Sequence, residues 1–340
     1  MAMRTLLSLV IGLSVLLGWV GEVAATARAR VTRFQALKAI CLEGETLRVL
    51  VLPERGANLI SLFDKRTRRE WIWQNPWDRY RKVRYASSFL DADVSGFDDC
   101  FPTVGQQAYP AAPWKGVVIP DHGELWSLPW SYQIRGGSVR LWVRGRRLPY
   151  RFEKQIRLVD PGRVEISYQV TNLSDHPLEA IWAAHALVAV RPGMDVFLPE
   201  EARFQEDLSP WSLDRRFGLG WIRLGGPETK SCKKAFTERL TEGWGGFYDG
   251  TTGDFLLYTF PVAKVPYLGL WINQGGLVAR GHRHYNVGLE PTNGGEEFQH
   301  SRQRGMQHVI PARATETWYL HLTCGKSTRR DLRARVRQAR

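Results

Sequence analysis

Alternation of apolar and polar residues is the clearest pattern in this chain. Every second residue is apolar in residues 163–171, from Val164 to Val170, and residues 315–323 alternate in the same way. A period of two is typical of a strand with one buried face. Gly136-Gly137 separates two shorter alternating runs and predicts a hairpin turn. These patterns predict neighbouring strands that share one buried side.

Short strands of this kind follow one another along most of the sequence. After the amino terminus, only the basic C-terminal tail shows a helical period over 12 or more residues. Repeated short strands separated by turns predict an all-β sandwich. No linker or repeat interrupts the pattern, so we expect one domain over residues 30–325 and a basic tail over 326–340. The predicted strands are 46–52, 58–63, 70–74, 131–134, 138–143, 151–159, 163–171, 178–190, 246–248, 255–260, 268–272, 276–279, 285–290 and 315–323.

Residues 75–130 break this regularity. They are rich in proline, glycine and aromatic residues. A connection of this length without secondary structure is uncommon in a compact domain unless it has a function. We therefore expect a functional loop with short strands embedded in it.

Residues 285–295, which read YNVGLEPTNGG, place a carboxylate at the end of a strand. Tyr285, Val287 and Leu289 alternate with smaller or polar residues, and Pro291 and a glycine-rich turn follow. Glu290 is thus predicted where a rigid strand meets a loop, a position that suits a catalytic acid or base. It equally suits a solvated or ion-paired glutamate, and this stretch alone favours that second interpretation.

Residues 1–29 have the pattern of an export signal. Arg4 precedes an uncharged apolar run over residues 6–20, and small residues follow it. The run is shorter than the ~20 apolar residues of a membrane-spanning helix. We therefore expect a cleaved signal and an exported protein, periplasmic or extracellular, with an uncleaved N-terminal anchor as the alternative.

Four cysteines follow the predicted signal. In an oxidising compartment they allow three disulfide pairings, and buried free thiols are an equally good interpretation. None of them has CxxC or zinc-ligand spacing, and we expect neither a metal nor a cofactor. They are Cys41, Cys100, Cys232 and Cys324.

The formal net charge of +13 is concentrated in two places, residues 65–84 and the tail from residue 326. Basic runs can favour nucleic acid or an anionic surface. The sequence has no nucleic-acid-binding motif, however. We therefore expect a solvated basic face, a frayed tail and no nucleic-acid partner.

Several polar and aromatic residues are candidates for a binding site. Of the 14 tryptophans, most are expected in the core, and one or two could offer an aromatic face to a sugar. His185 lies in an apolar strand, where a core role is the commoner one, whereas His282 and His284 are predicted at the surface. Asp98 and Asp99 can form an Asx-turn or accept hydrogen bonds from ligand hydroxyl groups.

Five short motifs, taken in chain order, resemble the aldose 1-epimerase (galactose mutarotase-like) family. Together they span most of residues 40–320. They read LPERGA at 52–57, GFDDCFPT at 96–103, DHGELW at 121–126, WAAH at 182–185 and GLEP at 288–291.

The resemblance implies a large antiparallel β-sandwich, the galactose mutarotase-like supersandwich, with a mono- or oligosaccharide in a shallow cleft on one sheet. It also implies that Glu290 is the catalytic base, that His185 is the catalytic acid and that His122 positions the sugar. The full set of candidate substrate-binding residues is His122, Asp98, Asp99, Glu124, Trp271 and Asn293.

Those roles agree with the chemistry of mutarotation. A base removes the proton of the anomeric hydroxyl group while an acid protonates the ring oxygen, and reclosure gives the other anomer. This requires a carboxylate and an imidazole, expected on opposite sides of the ring. Their ordinary pKa values of about 4.3 and 6.5 allow an ionised base and a protonated acid to coexist near neutral pH.

The sequence therefore predicts an exported aldose 1-epimerase, an isomerase that needs no cofactor. A non-catalytic carbohydrate-binding protein on the same fold is the alternative, favoured by the basic surface and by the two aspartates in the loop at 95–103. A glycosidase would need a second carboxylate near Glu290, and Asp98 and Asp99 are the candidates. Asp249 is the candidate for the family's remaining pocket aspartate.

Overall fold

The structure, a computed structural model, describes residues 27–340. Strands dominate them, with two helices, α1 (Phe298–Gln303) and α2 (Leu332–Ala339), and 3₁₀ turns at Phe89–Asp91, Leu125–Ser127 and Pro227–Thr229. The strands are β1 (Arg28–Phe34), β2 (Leu37–Glu43), β3 (Leu47–Leu52), β4 (Asn58–Asp64), β5 (Arg69–Glu70), β6 (Phe97–Cys100), β7 (Gln107–Ala108), β8 (Val118–Ile119), β9 (Ser131–Arg135), β10 (Ser138–Arg144), β11 (Tyr150–Asp160), β12 (Arg163–Asn172), β13 (Leu178–Glu179), β14 (Ala183–Val188), β15 (Asp195–Pro199), β16 (Asp214–Arg216), β17 (Leu219–Arg223), β18 (Ser231–Phe236), β19 (Trp244–Tyr248), β20 (Asp254–Thr259), β21 (Tyr267–Ala279), β22 (His282–Thr292), β23 (Val309–Ile310) and β24 (Thr315–Lys326).

Two large antiparallel sheets form the molecule, which confirms the predicted all-β sandwich. The first sheet has the order β1-β2-β3-β4-β6-β14-β22-β21-β18, with β5 added beside β4. The second has the order β16-β17-β15-β19-β20-β24-β12-β11-β10-β9. Two small two-stranded sheets, β13-β23 and β7-β8, complete the set within residues 27–340.

The core lies between the inner faces of the two sheets. In β12 the apolar residues from Val164 to Val170 are buried and the intervening polar residues are not, as the alternation predicts. Strand β14 is buried at every position instead. Its outer side is also covered, because Leu187 packs in one cluster with Phe89 and Trp126 of the irregular region 75–130. A strand covered on both faces loses its alternation.

The C-terminal tail differs from the expectation of a frayed end. Leu332, Val336 and Ala339 are buried and lie at helical spacing on one side of α2. They pack with aromatic residues of the second sheet, including Trp221 and Trp244. Arg335 and Arg337 of this helix are exposed, whereas Arg333 lies over the Trp244 ring at 5.2 Å. The tail is therefore a docked amphipathic helix.

Most of the predicted export signal lies outside the described residues. Its last positions overlap the start of β1 at Arg28, and export and the domain boundary remain predictions. Within residues 27–340, neither helix is long or apolar enough to cross a membrane. All four cysteines are free thiols in the structure, and only Cys232 is exposed.

Candidate functional site

His185 and Glu290 meet on the outer face of the first sheet. His185 lies in β14 and Glu290 in the neighbouring strand β22. The Nε2 atom of His185 is 3.7 Å from the Oε1 atom of Glu290. Both residues are buried, with 6% and 1% of their surfaces exposed. The two groups therefore stand side by side on one sheet rather than facing each other across a wide cleft.

Two glycines make room for the Glu290 carboxylate. A Cβ atom at Gly288 would lie 3.0 Å from Oε1, and one at Gly269, the register partner of Glu290, would lie 3.2 Å from Oε2. Neither carboxylate oxygen has a hydrogen-bond partner among residues 27–340, and neither does Nδ1 of His185. Because buried polar atoms are usually satisfied, such orphaned atoms mark a site that could accept a polar ligand.

Lys234, which the sequence reasoning missed, completes the charge arrangement. Its Nζ atom lies 3.2 Å from Oε2 of Glu290 as an ion pair, in an orientation outside hydrogen-bond geometry. Burial lowers the pKa of Lys234, but the Glu290 carboxylate, Glu296 and Cys100 together outweigh this, so that the pKa is raised overall. The site thus holds an ammonium group beside the carboxylate, on the side opposite His185.

His122 forms the second histidine of the cluster. Its ring lies 4.8 Å from the ring of His185, measured between centroids, in an edge-to-face arrangement. Phe89 stacks on His122 at 4.3 Å and contacts the His185 ring edge-on at 4.9 Å. Asp121 contacts both of these aromatic residues. One of its carboxylate oxygens is 2.8 Å from Nδ1 of His122, and the other accepts a hydrogen bond from the backbone N–H of Phe89.

The protonation state of His185 departs from the expectation of a protonated acid. Burial, reinforced by the nearby His122 and Lys234, lowers its pKa well below the ordinary value of 6.5. This shift favours the neutral imidazole at pH 7. The sequence could not show this, because it does not reveal that the outer side of β14 is covered.

Asp98 and Asp99 serve the fold instead of a ligand. The Nη1 group of Arg55 donates to both carboxylate oxygens of Asp98, at 3.1 and 3.2 Å. Asp99 points the other way, between the sheets, where it binds Lys154 at 2.7 Å and the Trp182 indole at 3.0 Å. Both aspartates are fully buried. Neither is available as a second carboxylate beside Glu290.

Glu124 and Asn293 are also engaged in structural contacts. Glu124 is buried and accepts hydrogen bonds from the Tyr85 hydroxyl group and from the backbone N–H groups of Arg146 and Arg147. All three donors reach Oε1 and hold these loops together, whereas Oε2 has no hydrogen-bond partner among residues 27–340. The Asn293 side chain accepts the backbone N–H of Trp182 at the end of β14. That they bind substrate stays a prediction.

Trp271 does lie on the same face as the pair. It is the register partner of both Gly288 and Lys234, and it is half-buried. Its indole N–H donates to the Asn286 side chain at 3.2 Å. This tryptophan is thus placed next to Glu290, as a ligand-contacting aromatic residue would be.

The structure places His284 and Asp249 differently from the positions predicted for them. His284 is fully buried rather than on the surface, and burial lowers its pKa. Asp249 lies in the loop after β19 of the second sheet, where Arg69 and Arg191 bind it at 2.8 and 2.6 Å. The two guanidinium groups and the Thr251 backbone N–H outweigh partial burial and lower the pKa of Asp249 to about 2. It is a structural anion outside the pair's sheet.

A large cavity lies away from this cluster. It has a volume of about 860 Å³ and lies against the outer face of the second sheet, where Tyr319 and His321 line it. Glu165, a carboxylate that lines this cavity, is already paired with Arg157 and His321. Among residues 27–340, no group of three or more histidine, cysteine, aspartate or glutamate side chains could hold a metal ion.

A scan of the sequence against protein-family models gives no match, and neither does a search of curated proteins. Solved structures do match. A putative aldose 1-epimerase from Klebsiella pneumoniae superposes with a TM-score of 0.69 at 13% identity, covering 92% of this chain and 86% of that one. A galactose mutarotase-like protein from Lactobacillus casei gives 0.62 at 16% identity, covering 84% and 100%.

A putative aldose 1-epimerase from Escherichia coli gives a TM-score of 0.62 at 11% identity, covering 88% of this chain and all of that one. Identities this low establish shared architecture and leave activity open. The similarity covers 84–92% of this chain and 86–100% of these structures. The protein therefore has the galactose mutarotase-like fold that the sequence motifs indicated.

Proposed function

We propose that this protein is an aldose 1-epimerase that interconverts the anomers of a reducing sugar. The observation that carries the proposal is the contact between His185 and Glu290, with His122 beside them and with carboxylate oxygens that lack hydrogen-bond partners among the described residues. The anomeric hydroxyl oxygen and the ring oxygen are both bonded to C1. A base and an acid that act on them together must therefore lie side by side, as these two groups do.

In this mechanism Glu290 accepts the proton of the anomeric hydroxyl group. The C1–O5 bond breaks, O5 receives a proton from Nε2 of His185, and C1 becomes the aldehyde carbon. Rotation about C1–C2 and the reverse transfers close the other anomer, so the protein ends with its protons restored. Each positioned group contributes about 10²- to 10⁴-fold.

His185 must be protonated to give a full proton to the ring oxygen. Because its pKa is lowered, the protonated form is a minority in the free protein at neutral pH. Glu290 at 3.7 Å is the counter-ion that stabilises this form when it arises. Lys234 balances the carboxylate from the other side and keeps the overall charge of the site low.

The side chains that cover His185 and Glu290 limit how a sugar can reach them. Phe89 contacts both imidazoles and is itself buried. Lys234 is more open, with 15% of its side chain exposed. A sugar therefore reaches Glu290 past Lys234, or after the Phe89 side chain moves aside.

Polarimetry tests the proposal directly. The protein should accelerate the change in optical rotation of freshly dissolved α-glucose, α-galactose or another member of a panel of aldoses and uronic acids. Glu290→Gln should lower the rate by about 10²-fold or more. Glu165→Gln, on the outer face of the other sheet, is the matched control and should leave the rate unchanged. No acceleration for any sugar in the panel would refute the proposal.

A non-catalytic carbohydrate-binding role is the second candidate. The lowered pKa of His185 and the cover provided by Phe89 favour it, since both reduce catalytic readiness without preventing binding. Calorimetry separates the two functions. Saccharide binding without any acceleration of mutarotation would support binding alone.

A further inference from the structure

A basic hollow lies on the segment that carries Phe89. A cavity of about 220 Å³ there is lined by Arg79, Arg81, Arg84 and Arg280. It continues into a wide open depression of about 910 Å³ that Arg79, Arg81, Arg280 and Trp77 share. We call these two connected spaces the arginine hollow.

Three charges of the arginine hollow lack acidic partners. The guanidinium groups of Arg79, Arg81 and Arg84 have no hydrogen bond or ion pair with any of residues 27–340, although all three side chains are exposed. By contrast, Arg280 binds Asp78 at 3.0 Å. Unpaired guanidinium groups around one concave space attract an anion, because each presents a planar fork of donors to carboxylate or sulfate oxygens.

The nearby acidic residues do not cancel this charge. Asp93, which also lines the cavity, is bound at 2.8 Å by the buried Arg55. Asp78 is paired with Arg280. Only Asp91 lines the cavity as an exposed carboxylate without such a partner among the described residues. Positive charge therefore remains in excess.

An aromatic platform borders the same hollow. Trp77 is 44% exposed, and its ring stacks on His282 at 4.7 Å with an interplanar angle of 3°. A rigid, flat indole suits the C–H face of a pyranose ring. A guanidinium group beside such a platform suits a sugar that carries a carboxylate or sulfate group.

We propose that the arginine hollow binds an acidic saccharide, a chain that bears uronate or sulfate groups. The choice of a saccharide over other anions rests on the proposed function, whereas the preference for negative charge rests on the arginines alone. The hollow adjoins the candidate site through one chain segment: Trp77 also contacts the buried His284 of β22, the strand of Glu290, and Phe89 lies on His185. A saccharide bound there would extend along the outer face of the first sheet toward Glu290.

Calorimetry with galacturonate oligomers of about four to six units provides the test, with neutral dextran oligomers of similar length as the comparison. The triple variant Arg79→Gln/Arg81→Gln/Arg84→Gln should weaken galacturonate binding roughly ten- to a hundredfold, since exposed charge contacts are individually modest. The matched control is Arg330→Gln/Arg335→Gln/Arg337→Gln, which removes the same charge from exposed positions at the C-terminal tail. This control should bind within about threefold of the unaltered protein.

The outcomes are distinct. Equal weakening in both triple variants, equal binding of neutral dextran, or tighter binding of single-stranded DNA than of galacturonate would overturn the proposal. Glu165→Gln, on the outer face of the second sheet, should keep its galacturonate affinity. If galacturonate binds as expected but no sugar is epimerised, the proposed function fails and the binding role of the arginine hollow stands. If a sugar is epimerised but galacturonate does not bind, the binding role fails and the proposed function stands.

Discussion

Two groups of buried charges lie side by side on the outer face of the first sheet. Asp98 and His185 are register partners on neighbouring strands, so their side chains point to the same face. In the first group, Arg55 bridges Asp93 and Asp98, and every charge has short contacts to its partner. In the second, Glu290 lies between His185 and Lys234 without a hydrogen bond from the described residues.

The difference separates a structural network from a candidate reactive one. A buried charge is tolerated when its partners satisfy it completely, as Arg55 does for its two aspartates. Incomplete satisfaction costs stability and leaves interactions available for a ligand. Burial alone therefore says little about function in this protein, whereas Glu290 is the carboxylate among residues 27–340 whose two oxygens are both buried without a hydrogen-bond partner.

The sharpest way to test the structural group is Arg55→Met. This substitution leaves Asp93 and Asp98 buried without their cation. Removing one partner of a buried ion pair typically costs about 3–5 kcal/mol of the free energy of unfolding. Urea unfolding followed by circular dichroism measures this loss.

Two comparisons make that result interpretable. Adding Asp93→Asn and Asp98→Asn to Arg55→Met should recover part of the lost stability, because the stranded charges are removed. Lys82→Met, which breaks an exposed pair with Glu54, should change stability little. A similarly small effect for Arg55→Met would mean that the first group is not structural.

The second group predicts that the free energy of unfolding depends on pH through His185. The pKa of His185 is lowered in the folded protein, so below about pH 6.5 the unfolded chain binds a proton that the folded chain does not. The free energy of unfolding therefore decreases as the pH falls below that value, by at most about 1.4 kcal/mol per pH unit for one group. Above pH 6.5 the effect is absent.

His185→Gln isolates this contribution, because His284 has a pKa lowered in the same direction and remains in both proteins. Between pH 6.5 and 5.5 the variant should lose about 1 kcal/mol less stability than the unaltered protein. Urea unfolding at both pH values provides the measurement. Parallel pH profiles would show that His185 is not held neutral by its surroundings.

The fold was accessible from the sequence because its signals are local. Alternation in β12 and β24 and the Gly136-Gly137 turn depend on neighbouring residues only, and the structure reproduces them. Strand β18 was missed because its polar sequence, SCKKAF, lacks alternation and β-favouring residues. That omission hid Lys234, and with it the ion pair of Glu290.

The site was accessible only in part, because the roles of its charges depend on distant partners. The motifs singled out His185 and Glu290, which are 105 positions apart and meet through the pairing of β14 with β22. Nothing local distinguishes Asp98 from a ligand-binding aspartate, since its partner Arg55 lies 43 residues away. Which buried carboxylate is satisfied is decided by three-dimensional contacts.

The smallest expected stability change belongs to Glu290→Gln. The amide keeps the shape of the side chain and removes a charge whose oxygens have no hydrogen-bond partners among the described residues. It also removes the ion pair with Lys234, but 15% of that side chain is exposed, so its flexible end can turn toward water. We therefore expect the free energy of unfolding to change by no more than about 1 kcal/mol, the worth of a typical polar contact.

Urea unfolding of Glu290→Gln, run beside Arg55→Met, tests the two groups against each other. The proposed function requires Glu290→Gln to lose mutarotation while it stays folded, whereas a structural glutamate would lose stability on the scale of Arg55→Met. A loss of several kcal/mol would place Glu290 with the structural charges. A stable, inactive variant would mean that this carboxylate is kept for its chemistry, since its removal then costs the fold almost nothing.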